Sequence, residues 1–182
     1  IATTGWPIES RLYAEDPYRN FLPSTGRLTR YRPPEEVATD TRAVRNDTGV
    51  TEGGEISMFY DPMIAKLCTW APTRPEAIAV MRDALDEFEI EGIGHNLPFL
   101  SAVMDHPSFV AGEATTAFIE ETWPDGFAGV VPDAPAAARI AAALAAMHRV
   151  SEIRAARISG RMGNHERTVG ADWVVTLGAA RY

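Results

Sequence analysis

Apolar and polar residues alternate from Trp6 to Ala14, with Trp6, Ile8, Ser10 and Leu12 on one side and Glu9, Arg11 and Tyr13 on the other. That period of two predicts a half-buried strand whose Arg11 faces away from the core. "FLPSTGRLTRYRPP" turns around Pro23 to Gly26, continues as a short strand through Leu28 and Tyr31, and is stopped by Pro33 and Pro34. "AVRNDTGVTEGGEISMFY" reads as two strands joined by polar residues, with Gly53 and Gly54 supplying positive φ. In "DPMIAKLCTW" only Lys66 interrupts an apolar run, the pattern of a central strand.

The period changes at Thr73. "TRPEAIAVMRDALDEFEI" carries a capping box at Thr73 and Glu76, Pro75 in its first turn, and a stripe of Ile78, Met81, Leu85 and Phe88, which predicts a helix. "HNLPFLSAVMDH" predicts a second helix ending before Pro107, and "TTAFIEETW" a third ending before Pro124. Strands followed by packed helices make this region α+β, with an antiparallel sheet. The Pro- and Gly-rich "WPDGFAGVVPDAP" reads as a linker. Beyond it, Asp133 is placed to cap an alanine-rich helix with Ile140, Leu144, Met147 and Val150 along one narrow stripe. Strand-like pieces follow at 153–158 and 173–177, separated by the turn-rich "SGRMGNHERTVGAD", and no internal repeat is present. Two strands and one helix bury little apolar surface, so this tail is expected to open a larger domain or to lean on a partner.

Composition narrows the function classes. A hydrophobic fraction of 46% over 182 residues is enough for a real core. Seventeen Lys and Arg against 25 Asp and Glu give a net charge of −8, which argues against a nucleic acid held by bulk electrostatics. A single cysteine, Cys68, excludes an internal disulfide and a thiolate-only metal site, and fits a reducing compartment such as a bacterial cytosol or a mitochondrial matrix. No apolar run approaches the roughly 20 residues of a membrane span. The first residues, "IATTGWPIES", have neither the basic nor the apolar region of a targeting peptide, and without an initiator Met they suggest a piece of a longer polypeptide.

Among chemistry-bearing residues, Arg11, Tyr60, Asp61 and Lys66 form the constellation most worth weighing. A guanidinium can make paired hydrogen bonds to a carbonyl or carboxylate, and a nearby Asp would fix its orientation. Pro62 holds Asp61 extended at a strand entrance. The plainer interpretation is that these are ordinary strand-face charges, and spacing alone does not displace it. His95, His106, His148 and His165 lack the spacing of a metal face and read as solvated or capping residues. No phosphate-cradling glycine motif or Ser or Cys nucleophile signature is present; Cys68 reads as buried and inert, and "RDALDEFEIE" as a solvated helix face.

Four stretches, "RLYAEDP", "FLPSTG", "YDPMIAKL" and "GIGHNLPFL", occur in the order in which they stand in the C-terminal part of biotin carboxylase. The chain resembles that family from Gly5 to Phe127, in the form found in the α subunit of propionyl-CoA carboxylase and related biotin-dependent acyl-CoA carboxylases. The helix and strands that follow resemble, more weakly, the start of the domain that bridges to the carboxyltransferase β subunit. The resemblance implies two domains, 1–127 as the last subdomain of biotin carboxylase and 128–182 as an incomplete bridging domain.

It also implies a ligase reaction in which bicarbonate and ATP, with Mg²⁺, form carboxyphosphate, and carbon dioxide is captured by biotin after a proton leaves its N1. Arg11 stands where the family has its biotin-binding arginine, and Asp61, in "YDPM", matches a carboxylate near that pocket that would position Arg11 or the ring. Tyr60 and Thr116 are further positions expected near biotin or the adenine, and Arg45 matches an arginine at the carboxylase dimer contact. The implied partners are the carboxyltransferase β subunit, a biotin carboxyl carrier domain and bicarbonate, in a hetero-oligomer. The resemblance puts the ATP-binding lid, the metal ligands and the catalytic base upstream of Ile1 and the biotinylated carrier motif downstream, so the chain by itself is expected not to turn over. Two alternatives stay open: a non-catalytic subunit-interaction module, and a regulatory protein derived from the carboxylase.

Overall fold

The alternation at the start of the chain becomes β1 (Trp6–Tyr13), whose Ile8, Ser10 and Leu12 are buried while Glu9 and Arg11 face out. Trp6, expected on the core side, is half exposed at the open start of the strand. The computed structural model describes residues 4–57, 59–157 and 167–182, and the chain divides into two compact units, Ile1–Gly129 and Val130–Tyr182. In the first unit β1 is followed by β2 (Glu15–Asp16), a 3-10 turn at Pro17–Arg19, β3 (Leu22–Pro23), β4 (Gly26–Arg27), β5 (Arg30–Arg32), β6 (Val37–Ala38), β7 (Ala43–Thr48), β8 (Glu55–Ile56) and β9 (Met63–Ala71). Then come α1 (Arg74–Asp86), β10 (Glu89–Glu91), α2 (Leu97–Asp105), α3 (Pro107–Ala111) and α4 (Phe118–Thr122).

The main sheet is antiparallel with strand order β1-β9-β7-β6, so β9 is internal as expected and β1 is an edge. Ala65, Leu67, Thr69 and Ala71 of β9 join Ile8, Leu12 and Val44 on the covered face, and α1 lies across it with Ala77, Ile78, Met81 and Leu85 buried. Each large apolar side chain so buried contributes roughly 1.5–3 kcal/mol, so this helix–sheet contact outweighs any ion pair on the opposite face. The capping box forms: the Thr73 N–H donates to the Glu76 carboxylate at 3.0 Å. Two arginines of α1 reach the next helices, Arg82 donating to the Met104 carbonyl at 3.0 Å and Arg74 to that of Phe109.

Several expectations are corrected. The two strands of "AVRNDTGVTEGGEISMFY" form but enter different sheets, β7 joining β9 and β8 joining β4, and of the two glycines expected at positive φ Gly53 is there, at +83°, and Gly54 is not. The helix expected to run through Ile90 ends at Asp86, and Glu89–Glu91 pair with Arg30–Arg32, which buries Ile90 beside Tyr31 in the core; Glu89 also lies 3.5 and 3.8 Å from Arg30 and Arg32. The charged run "RDALDEFEIE" is therefore part helix and part strand. Trp123 and Phe127, read as linker, pack on Phe99 with ring centroids 5.2 and 5.4 Å apart. They belong to a second small core of the first unit.

In the second unit, the Asp133 side chain accepts the Ala136 N–H at 2.7 Å and starts α5 (Ala134–Ala156). The strand expected from Ile153 is helical to Ala156, since Glu, Arg and Ala sustain a helix better than they break it; Ile158 lies outside the described residues. Of 173–177 only β11 (Thr176–Leu177) is a strand, and the hairpin partner that the sequence did not suggest is β12 (Ala180–Arg181), across a turn at Gly178. The stripe Ile140, Leu144, Met147 and Val150 is exposed, and the His148 ring meets Trp173 edge to face at 5.0 Å.

Candidate functional site

Antiparallel register converts the sequence pattern into rows on the open face of the main sheet. Glu9, Cys68 and Arg45 stand side by side across β1, β9 and β7, and Arg11, Lys66 and Asp47 form the next row. A carboxylate and an arginine thus follow one another along β1 and along β7, while Arg11 and Lys66 stand as neighbouring cations across β1 and β9.

Arg11 donates through Nε to Glu9 Oε1 at 3.1 Å, with 58% and 45% of the two side chains exposed. This neighbour, and next the Tyr13 hydroxyl, raise the Arg11 pKa further above its ordinary value, so the group is a permanent cation. A guanidinium held by Nε still presents its terminal amino groups in a planar fork, suited to a carbonyl or ureido oxygen. Arg45 is tied more completely: Nε and Nη2 each reach an Asp47 oxygen at 3.0 Å, and Nη2 lies 3.7 Å from Cys68 Sγ.

Among the described residues the carboxylate bonded to Arg11 is that of Glu9, and no hydrogen bond or ion pair joins Arg11 to Asp61. The carboxylate on which its charge acts is Glu15, whose pKa is raised above the ordinary range by burial first and by Asp61 second. Asp61 is nonetheless tethered near the end of β1, because the Ala14 N–H donates to the Pro62 carbonyl at 2.8 Å. Tyr60 and the adjacent Phe59 are 82% and 83% exposed beside it. Thr116 stands apart from this face, in the exposed turn before α4 where Thr115 Oγ1 accepts the Ala117 N–H at 3.2 Å.

Cys68, expected buried, is only partly so: it belongs to the open face, lining a groove of about 370 Å³ with Pro7, Ala43, Arg45 and Trp70. Burial pushes its thiol pKa up, more than Arg45 lowers it. Among the described residues no group of His, Cys, Asp or Glu is arranged to hold a metal ion. His95 is partly buried, and desolvation lowers its pKa, which favours the neutral imidazole. His106 Nδ1 accepts the Ser108 N–H at the start of α3, while His165 lies outside the described residues.

One residue that the sequence reading passed over is Asn96. It is 5% exposed, and its amide spans the β1 backbone at the candidate arginine: Oδ1 accepts the Tyr13 N–H at 2.9 Å and Nδ2 donates to the Arg11 carbonyl at 3.1 Å. The signal in the sequence was an Asn before "LPF", an N-cap residue whose N2 position is a proline with no N–H to offer.

Residues 9–121 match the biotin carboxylase C-terminal domain family, over more than half the chain. This chain belongs to that family. Residues 140–182 match a second family, the propionyl-coenzyme A carboxylase BT domain. The chain is similar to the propionyl-CoA carboxylase alpha chain of Ruegeria pomeroyi, 65% identical over 100% of this chain and 29% of that protein. It is also similar to the human mitochondrial propionyl-CoA carboxylase alpha chain, 45% identical over 71% of this chain and 17% of that one.

Among solved structures, a complete multifunctional pyruvate carboxylase from Rhizobium etli superposes with a TM-score of 0.63 and 40% identity, covering 73% of this chain and 13% of that chain. The biotin carboxylase domain of a thermophilic 2-oxoglutarate carboxylase bound to bicarbonate gives 0.62 and 37%, covering 68% and 27%. These neighbours carry the same α+β architecture. The chain thus spans less than a third of the length of the biotin carboxylase relatives it matches.

Proposed function

We propose that this chain is the biotin-facing end of a biotin carboxylase, within the α subunit of a propionyl-CoA carboxylase, and that Arg11 holds the ureido oxygen of biotin. The observation that carries this is an exposed guanidinium, fixed at Nε by Glu9, projecting from the open face of β1. Biotin, when bound, supplies a ureido nitrogen that accepts the carboxyl group once its proton has left. The negative charge that develops spreads to the ureido oxygen, where a preorganised cation stabilises it more than water would. Arg11 binds and orients that oxygen; Tyr60 and Asp61 flank the ring, Thr116 lies toward the adenine, and Arg45 serves a contact between carboxylase domains.

In this reading residues 1–127 form the biotin carboxylase end and residues 128–182 open the bridging domain toward the carboxyltransferase β subunit. ATP, Mg²⁺ and bicarbonate are handled by other parts of a longer polypeptide, and a carrier domain presents the biotin. The assembly is a hetero-oligomer in a bacterial cytosol or mitochondrial matrix.

The test uses ATP, Mg²⁺, bicarbonate and free biotin. The full α subunit is expected to cleave ATP faster when biotin is added, whereas residues 1–182 alone should cleave none. A full subunit indifferent to biotin would contradict the proposal and favour an interaction module; ATP cleavage by the 182-residue chain itself would contradict both.

A further inference from the structure

An N-cap asparagine ordinarily spends its side-chain oxygen on the N–H of the second or third helical residue. Asn96 precedes α2 in that place and does not: no hydrogen bond runs from its side chain to its own helix. One of the two usual donors is missing because the second helical position is Pro98. The amide instead crosses to β1, 83 and 85 residues away in sequence, to bind the Tyr13 N–H and the Arg11 carbonyl, and the Asn96 N–H donates to the Tyr13 carbonyl at 3.2 Å.

Three hydrogen bonds from one buried residue thus hold the backbone on both sides of Leu12. This spot needs holding. β1 is an edge strand with β9 on only one side, and its register with β9 slips between Leu12 and Tyr13. A bulge bends a strand and re-aims its side chains, and edge backbone groups left without a ladder partner bind water and move. Asn96 stands in for the missing strand over one residue pair, and so fixes the Cα from which Arg11 projects.

We propose that Asn96 is a positioning residue for Arg11, aligning its guanidinium with the ureido oxygen from the open edge of the strand; this rests on the biotin-binding reading of Arg11. The helix gives up part of its own cap for the contact, the kind of local departure from best geometry that accompanies function. Asn96 touches no substrate, and its influence is transmitted through two backbone bonds.

The test is made in the full α subunit with free biotin. Asn96→Asp keeps an acceptor for Tyr13 N–H but sets a second oxygen against the Arg11 carbonyl; Asn96→Ser keeps a good N-cap yet is too short to span both groups. Each should lower kcat/KM for biotin by about tenfold, the cost of unpairing buried backbone groups. Biotin-independent ATP cleavage and the KM for ATP should stay within about twofold, a spread below what one hydrogen bond changes.

In an Arg11→Ala background the same Asn96 substitutions should have no additional effect on the biotin terms. Equal losses in biotin and ATP parameters, or full additivity with Arg11→Ala, would overturn the positioning role and leave Asn96 a fold residue. If Arg11→Ala itself leaves biotin dependence intact, the biotin-binding reading fails first; if Arg11→Ala acts and neither Asn96 variant does, only the inference about Asn96 falls.

Discussion

Glu15 and Asp61 show how a carboxylate near the proposed biotin pocket is set by its surroundings. Burial, and then the charge of Asp61, raise the Glu15 pKa in the folded chain above its unfolded value. A raised carboxyl pKa gives stability that is complete below the unfolded value and is lost as the pH climbs through the shifted one. Glu15→Gln removes the ionisable group. It should therefore raise the melting temperature in neutral buffer and change it little in buffer below the pKa of an unfolded-chain glutamate, where Glu15 is protonated in both states. An equal shift in both buffers would mean that the effect is packing and not charge. At this scale Arg11 was legible from alternation alone, since a period of two dictates which side chains face out. Its partner was not: Glu9 at i−2 and Asp61 on another segment are both chemically suitable, and only the folded geometry assigns the bond to Glu9.

Elements with a strong period or a cap were readable, as α1 and α5 demonstrate with Thr73, Glu76 and Asp133 all capping as expected. Two- and three-residue strands were legible only in part, β5, β8 and β11 falling within stretches read as strands while others were missed, because so short a run carries no period and owes its pairing to distant partners. β10 is such a case: Glu89–Glu91 reads as helix until Arg30–Arg32 arrive across it. Gly92 ends this strand at φ +101°, where a Cβ would lie 2.9 Å from the Thr29 N and 3.0 Å from its Oγ1. Gly92→Ala must push the β5–β10 ladder apart or twist out of the left-handed region. It should cost about 1–3 kcal/mol in strain, read as a lower urea midpoint, with faster amide exchange at Ile90 and Tyr31. A midpoint equal to that of the parent would show that the ladder does not depend on this turn. The Asn96 clamp escaped sequence reading for the same reason, since its two bonds span 83 and 85 residues.

Across the whole molecule, a chain of net charge −8 sets Arg11, Lys66 and Arg45 among Glu9 and Asp47 on one open sheet face. The covered face supplies stability through α1, which leaves the open face free to carry charges that contribute little to folding. Fold class and family membership were within reach of the sequence because long ordered stretches specify them. The row order Glu9–Cys68–Arg45 was not, since register is set by the pairing of strands whose residues lie far apart along the chain. Whether Arg11 carries the ureido oxygen of biotin is decided by the biotin dependence of ATP cleavage in the full α subunit bearing Arg11→Ala. Stimulation by free biotin should be lost while the biotin-independent rate and the KM for ATP stay at parental values; a variant stimulated by biotin as strongly as the parent would refute this role for Arg11.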